Sequence, residues 1–136
     1  DIESSDGVPT AKSVRTLQAM KTAAMIEASA ELGALVAGAS SADAKVAARW
    51  GRSLGLCFQV VDDLLDVTSE AAELGKTPGK DADLGRGTAV RVLGFEGAQE
   101  EAQRLAQDAR DAAAQLGWEP NSLAGRLVSF TLNRSF

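Results

Sequence analysis

Histidine is absent from this 136-residue chain. Its absence excludes a Ser-His-Asp triad, a Cys-His pair, a histidine zinc ligand and an imidazole general base. Cysteine occurs once, at Cys57. An internal disulfide is therefore excluded, and its place in an apolar run reads as a buried small hydrophobe in a reducing compartment, with a cytoplasmic location expected. No uncharged apolar run approaches the roughly 18 residues needed to cross a bilayer. The most apolar stretch, residues 23–39, carries Glu27 and Glu31. The start, Asp1-Ile2-Glu3-Ser4-Ser5-Asp6, is acidic and lacks the basic and apolar parts of a signal peptide. Net positive charge is lacking as well. The formal charge of −5 argues against a general nucleic-acid-binding surface. What remains for catalysis is carboxylates, lysines, arginines and hydroxyls, a set suited to metal and phosphate chemistry or to no chemistry at all.

The length suits one compact domain, and 45% apolar with 24% charged residues is an ordinary globular balance. From Ala11, apolar residues recur at helical spacing: Val14, Leu17, Met20, Met25, Ile26, Leu32, Leu35 and Val36, until Gly38-Ala39-Ser40-Ser41 stops the stripe. Ser40 or Ser41 can cap the next helix, with Asp43 in its first turn. That helix is expected from about residue 42 to 67. Residues 69–87, with Gly75, Pro78, Gly79, Gly85 and Gly87, form a long irregular segment of the kind that carries function or is disordered. A short helix over 88–93 follows. An amphipathic helix over 96–116 turns Ala98, Ala102, Leu105, Ala109, Ala112 and Ala113 inward. Pro120 and Asn121 open a last helix through Leu123, Leu127, Val128, Phe130 and Leu132. The fold class is all-α.

The segment with chemical content runs from Gly51 to Asp66. With Asp62 as zero on a helical wheel, Asp66 falls at about 40°, Gln59 at about 60° and Asp63 at about 100°, while Gly55 and Gly51 fall at about 20° and −20°. Three carboxylates thus share one arc of a helix that is otherwise leucine and valine, and the stripe leading to them is nearly bare of side chains. Two carboxylates about 5 Å apart repel by roughly 3 kcal/mol at an effective dielectric near 20. Such a group raises its own pKa values or recruits cations. Mg²⁺ suits it best, as a hard ion that takes one or two carboxylates and fills its shell with water and phosphate oxygens. Gln59 can support a carboxylate or phosphate by hydrogen bonding. The glycines permit close helix packing or leave a cavity for an apolar substrate. The plainer alternative is an acidic helix end facing solvent, with the glycines at a helix crossing.

Downstream, Lys76, Lys80 and Arg86 are spaced by glycines and Pro78, a composition that lets cations and backbone N–H groups close over a phosphate. A P-loop is excluded, because Gly75-Lys76-Thr77 would need glycine at Glu70 and Gly79-Lys80 is followed by Asp81. The EF-hand pattern is absent too. Lys21-Thr22 sits within a mostly apolar helical stretch, where a lysine either snorkels or meets an anion.

Lys21-Thr22, then Phe58-Gln59-Val60-Val61-Asp62-Asp63-Leu64-Leu65-Asp66, then Leu74-Gly75-Lys76-Thr77-Pro78-Gly79-Lys80-Asp81, resembles the trans-isoprenyl diphosphate synthases, or polyprenyl synthetases, of the farnesyl and geranylgeranyl diphosphate type. The resemblance implies the all-helical isoprenoid synthase bundle, with the acids forming the family's second aspartate-rich motif. It implies a Mg²⁺-dependent prenyltransferase that joins an allylic diphosphate to isopentenyl diphosphate, in an enzyme that commonly forms homodimers. Carried over by motif, Asp62 is the principal Mg²⁺ ligand, with Asp63 and Asp66 as direct or water-mediated support. Lys21 and Lys76 grip the allylic diphosphate, and Lys80 and Arg86 add substrate-binding charge. Thr22 and Gln59 steady the cationic centre, and Phe58 is a cavity wall. Arg86 in place of lysine, Ala23 in place of glycine and Ala89-Val90 in place of Tyr-Pro depart from the family pattern.

The family's first aspartate-rich motif and isopentenyl site lie upstream of these motifs, and nothing in residues 1–20 resembles them. The expectation is therefore the C-terminal half of a single polyprenyl synthetase domain, inactive alone. The other readings are a class I terpene cyclase, which usually lacks the Gly75–Asp81 pattern, a non-catalytic regulatory or scaffolding subunit, and a purely structural bundle.

Overall fold

The computed structural model describes residues 11–73, 75 and 88–134, with side chains from Met20 onward and that of Thr88 excepted. Among these residues the chain forms four helices and no strand: α1 (Ala11–Val36), α2 (Ser41–Glu73), α3 (Thr88–Gln115) and α4 (Leu123–Leu132). The all-α expectation holds.

A short polar stop separates α1 from α2. Ser40 caps α2: its Oγ accepts from the Asp43 N–H at 3.1 Å and its hydroxyl donates to the Asp43 carboxylate at 2.8 Å. Helix α2 runs six residues beyond its expected end at Val67. Val67 and Ala71 are buried and so hold the added turns in place. Thr68 donates back to the Leu64 carbonyl at 2.8 Å and does not break the ladder. Helix α3 is two helical pieces divided by a kink at Gly94, whose φ of 75° lies where only glycine sits without strain. The expected break between residues 93 and 96 is that kink. The last helix starts later than Pro120-Asn121: Ser122 is its cap and accepts from the Gly125 N–H at 3.3 Å.

Packing follows residue size. Trp50, Leu54, Cys57 and Val61 of α2 supply the bulk of the core. Helix α3 meets them with Ala102, Ala106, Ala109, Ala112 and Ala113 around Leu105, and Val128 of α4 closes one side. The alanine face lets the two long helices approach closely. Trp50 and Trp118 meet edge to face, with centroids 5.6 Å apart. A smaller cluster of Val67, Val90 and Ala98 extends the core toward the end of α2.

Helix α1 packs on α2 by its small residues. A Cβ on Gly55 would lie 2.7 Å from Ala23 Cα, and one on Gly51 would lie 2.7 Å from the Ile26 carbonyl oxygen. Of the two uses open to these glycines, the structure realises close helix packing. The large apolar residues of α1 therefore face outward. Met20, Met25, Leu32 and Val36 are between 61% and 88% exposed, and the buried positions are Ala23 with the half-buried Ile26 and Ala30. On α4, Leu123, Leu127 and Phe130 also point out, and Val128 points in. No described helix is long and apolar enough to cross a membrane.

Candidate functional site

The acids sit two to three turns beyond Gly51 and Gly55 on the same stripe of α2, so the close α1–α2 crossing fixes the direction in which Asp62 projects. Asp62 is about one-third exposed. Its Oδ1 accepts from Arg134 Nη1 at 2.6 Å, and the Arg134 guanidinium lies 4.5 Å from the centroid of the Phe58 ring, one turn back on α2. Asp63 turns the other way round the helix. Its Oδ2 accepts from the backbone N–H of Ala89 at 2.8 Å, satisfying a donor in the first turn of α3. Asp66 is exposed, and Gln59 and Phe58 are half-buried.

The three acids share the predicted arc but divide their contacts. One carries a guanidinium and one binds a helix N-terminus. Among the described residues, no three acidic or thiol side chains converge to hold a metal ion by themselves. The donor set still suits Mg²⁺, which takes one or two carboxylates and completes its shell with water and phosphate oxygens. Asp62 already has a cation against it, and Asp66 lies one turn on with its side chain exposed.

Lys21 lies two residues before Ala23, so its side chain leaves α1 about 200° round from the α2 contact. It is exposed, at the centre of the outward apolar face of Met25, Leu32 and Leu35. The α1–α2 crossing does not bring it onto the acids. Thr22 is half-buried beside that crossing. Lys76, Lys80, Asp81 and Arg86 lie outside the described residues.

A cleft of about 290 Å³ opens between α2, α3 and the end of α4, lined by Val61, Leu65, Thr68, Gln99 and Leu132. These α2 residues lie on the side of the helix away from the acid arc. Arg134 also borders the cleft and passes from it to Asp62. Sequence reasoning missed Arg134, because 72 positions separate it from its acid. It also missed the anchoring of Asp63 on Ala89, although an acid facing a helix start is a recognisable pairing.

Residues 1–116 match the sequence model of the polyprenyl synthetase family. The chain is similar to geranylgeranyl pyrophosphate synthase 9, chloroplastic, of Arabidopsis thaliana, with 43% identity over 104 residues, 76% of this chain and 28% of that protein. It is similar to the chloroplastic geranylfarnesyl diphosphate synthase of Leucosceptrum canum, with 47% identity over 100 residues, 74% of this chain and 27% of that protein. It is also similar to the large subunit 1 of a heterodimeric geranylgeranyl pyrophosphate synthase of Arabidopsis thaliana, again chloroplastic, with 45% identity over 108 residues, 79% of this chain and 29% of that protein. The chain thus spans less than a third of the length of these relatives. All three are prenyl diphosphate synthases by name. All three are also chloroplastic by name, and this overturns the expected cytoplasmic location. With the greater part of its length matched to the family and its acids on one helical arc, the chain belongs to the polyprenyl synthetase family.

Proposed function

We propose that this chain carries the second aspartate-rich face of a Mg²⁺-dependent trans-prenyltransferase, one that condenses an allylic diphosphate with isopentenyl diphosphate. The observation that carries the reading is Asp62: a partly exposed carboxylate on the α1-facing stripe of α2 that already draws a cation to 2.6 Å. The names of the relatives, all prenyl diphosphate synthases, support the same chemistry.

In this reading Asp62 and Asp66 hold Mg²⁺ on the diphosphate, and Asp63 contributes by fixing the start of α3 beside them. Bound Mg²⁺ supplies neutralisation of the charge that develops on the departing pyrophosphate. Lys76 grips the allylic diphosphate, with Lys80 and Arg86 adding positive charge around it. Breaking the allylic C–O bond leaves a carbocation, which the isopentenyl double bond attacks before a proton is lost. Thr22 and Gln59 turn oxygen dipoles toward the cationic centre, and Phe58 walls the cavity, keeping out water that would quench the cation. The outward apolar face around Lys21 becomes a cavity wall once the remaining helices of the fold cover it. Residues 1–136 form the C-terminal part of one synthetase domain, and the whole enzyme is a homodimer. Alone, the chain holds half of a diphosphate clamp and does not turn over.

The test has two arms. Labelled isopentenyl diphosphate with dimethylallyl diphosphate and Mg²⁺ is expected to give no prenyl product from the 136-residue chain. Pyrophosphate binding in the presence of Mg²⁺ is expected in the chain and weakened in Asp62→Ala. Product from the isolated chain would overturn the claim of inactivity, and equal pyrophosphate affinity in both proteins would remove Asp62 from the site.

A further inference from the structure

We infer that Arg134 is an internal cation for Asp62 that a divalent ion must displace, so that Asn133-Arg134, directly after α4, straps the aspartate face while it is unloaded. The inference rests on the reading of Asp62 as a metal ligand. Arg134 is held at the acid from both sides: Nη1 donates to Asp62 Oδ1 at 2.6 Å, and the guanidinium carbon lies 4.5 Å from the centroid of Phe58. Phe58 and Asp62 are four residues apart on α2, on one ridge, so a single planar guanidinium meets both. The side chains of Arg134 and Asp62 are 26% and 37% exposed, which shields the pair from full solvent screening.

Arg134 is delivered to this position by the helix before it. Val128 and Thr131 are buried, and the Asn133 N–H closes the helix on the Ser129 carbonyl at 3.0 Å. The next residue therefore starts from a fixed point. Arg134 also lies beyond residues 1–116, the region matched to the family, so the contact is supplied from outside the matched region.

A guanidinium donates through all its N–H groups and accepts nothing, so it cannot itself ligate a metal. It occupies Asp62 Oδ1 and sets a positive charge beside the carboxylate, so a divalent ion arriving at Asp62 meets close-range repulsion and competition for that oxygen. Loading the site therefore breaks the Arg134–Asp62 pair and frees the strap, while a strapped site binds ions more weakly than Asp62 and Asp66 alone would. The arginine is a positioning residue, since it acts through Asp62.

Mn²⁺ serves as the probe, with free ion counted by electron paramagnetic resonance in the 136-residue chain, Arg134→Met and Asp62→Asn. Removing one charge-assisted contact is expected to tighten Mn²⁺ binding by about tenfold in Arg134→Met, with Arg134→Lys between the two. Asp62→Asn is expected to lose the site. If the chain and Arg134→Met bind equally while Asp62→Asn binds weakly, the strap is overturned and the acid site stands. If none of the three binds Mn²⁺, the reading of the acid face falls and the strap falls with it. A second measurement needs no variant at position 134. Trypsin cuts after arginine, and loss of Ser135-Phe136, followed by mass spectrometry, is expected to run several-fold faster with Mn²⁺ than with chelator. In Asp62→Asn the same loss is expected to be fast in both conditions. Equal rates with and without Mn²⁺ in the unsubstituted chain would overturn the strap.

Discussion

The Asp63 carboxylate accepts the backbone N–H of Ala89 at 2.8 Å, tying the middle of α2 to the first turn of α3. An acid at this place answers a helix donor that has no partner within its own helix, and it meets the positive end of the helix dipole. Asp63→Ala is therefore expected to cost about 1 kcal/mol of stability, in the range of a lost N-cap. Asp63→Asn, which keeps the acceptor oxygen, is expected to cost less. Urea unfolding of the two variants checks the order, and an equal loss in both would show that charge, not hydrogen bonding, carries the contact.

Close packing of α1 on α2 gives a second test, in which one chemical change has opposite signs at two places. At Gly55 an added methyl would meet the Ala23 backbone at 2.7 Å, whereas at Gly33 it would meet nothing within 4 Å. Alanine gains up to about 1 kcal/mol over glycine inside a helix. Overpacking costs roughly 1–3 kcal/mol and takes back more than that gain at Gly55. Gly33→Ala is thus expected to raise the melting temperature by a few degrees, and Gly55→Ala to lower it. Gly55→Val should lower it further. Because Asp62 projects from the same stripe, Gly55→Val is also expected to weaken pyrophosphate binding.

Much of this arrangement is legible in the sequence because local rules and tertiary packing agree. The Ser40 cap, the break near Gly94 and the inward alanines of α3 all follow from turn chemistry and helical period. The facing of α1 does not. Its apolar residues recur at one helical spacing, yet Met20, Met25 and Leu32 point outward, because the glycines of α2 select small partners. Helix α2 outruns the end its own spacing predicts, since the burial of Val67 depends on Val90 and Ala98 of α3. On the wheel, the acids stand where the spacing predicts. Their partners Ala89 and Arg134 are 26 and 72 positions away, beyond the reach of any local pattern.

Trp50 offers a third test. Its indole N–H is buried with no hydrogen-bond partner among the described residues, while its ring packs edge to face on Trp118. A buried donor left unpaired costs about 1–3 kcal/mol, which offsets part of the gain from burying the ring. Trp50→Phe removes the donor and keeps an aromatic face. It is expected to change stability by no more than about 1 kcal/mol, against roughly 3–5 kcal/mol lost in Trp50→Ala. Denaturant midpoints of the two variants decide this. A Phe variant as unstable as the Ala variant would mean that ring volume alone matters.

Cys57 links burial to a pH dependence whose sign is fixed. Its side chain is fully buried in the core, donating to the Ala102 carbonyl at 3.4 Å. Burial pushes the thiol up from 9.0 to about 11, with the nearby Arg110 charge pulling weakly the other way. The folded state therefore keeps this proton where the unfolded chain has released it. The contribution is fully present below pH 9, and it is lost as pH rises from about 9 to about 11, because only the unfolded state gains by ionising there. Two pH units correspond to about 2–3 kcal/mol. Urea unfolding across that window is expected to show a steeper loss of stability in the unsubstituted chain than in Cys57→Ala, with lysine titration common to both. The same burial predicts that a thiol reagent at pH 8 modifies Cys57 in the folded chain orders of magnitude more slowly than in the urea-unfolded chain, because reaction waits on opening. Equal second-order rates in the two states would place the sulfur within reach of solvent and remove the basis for both expectations.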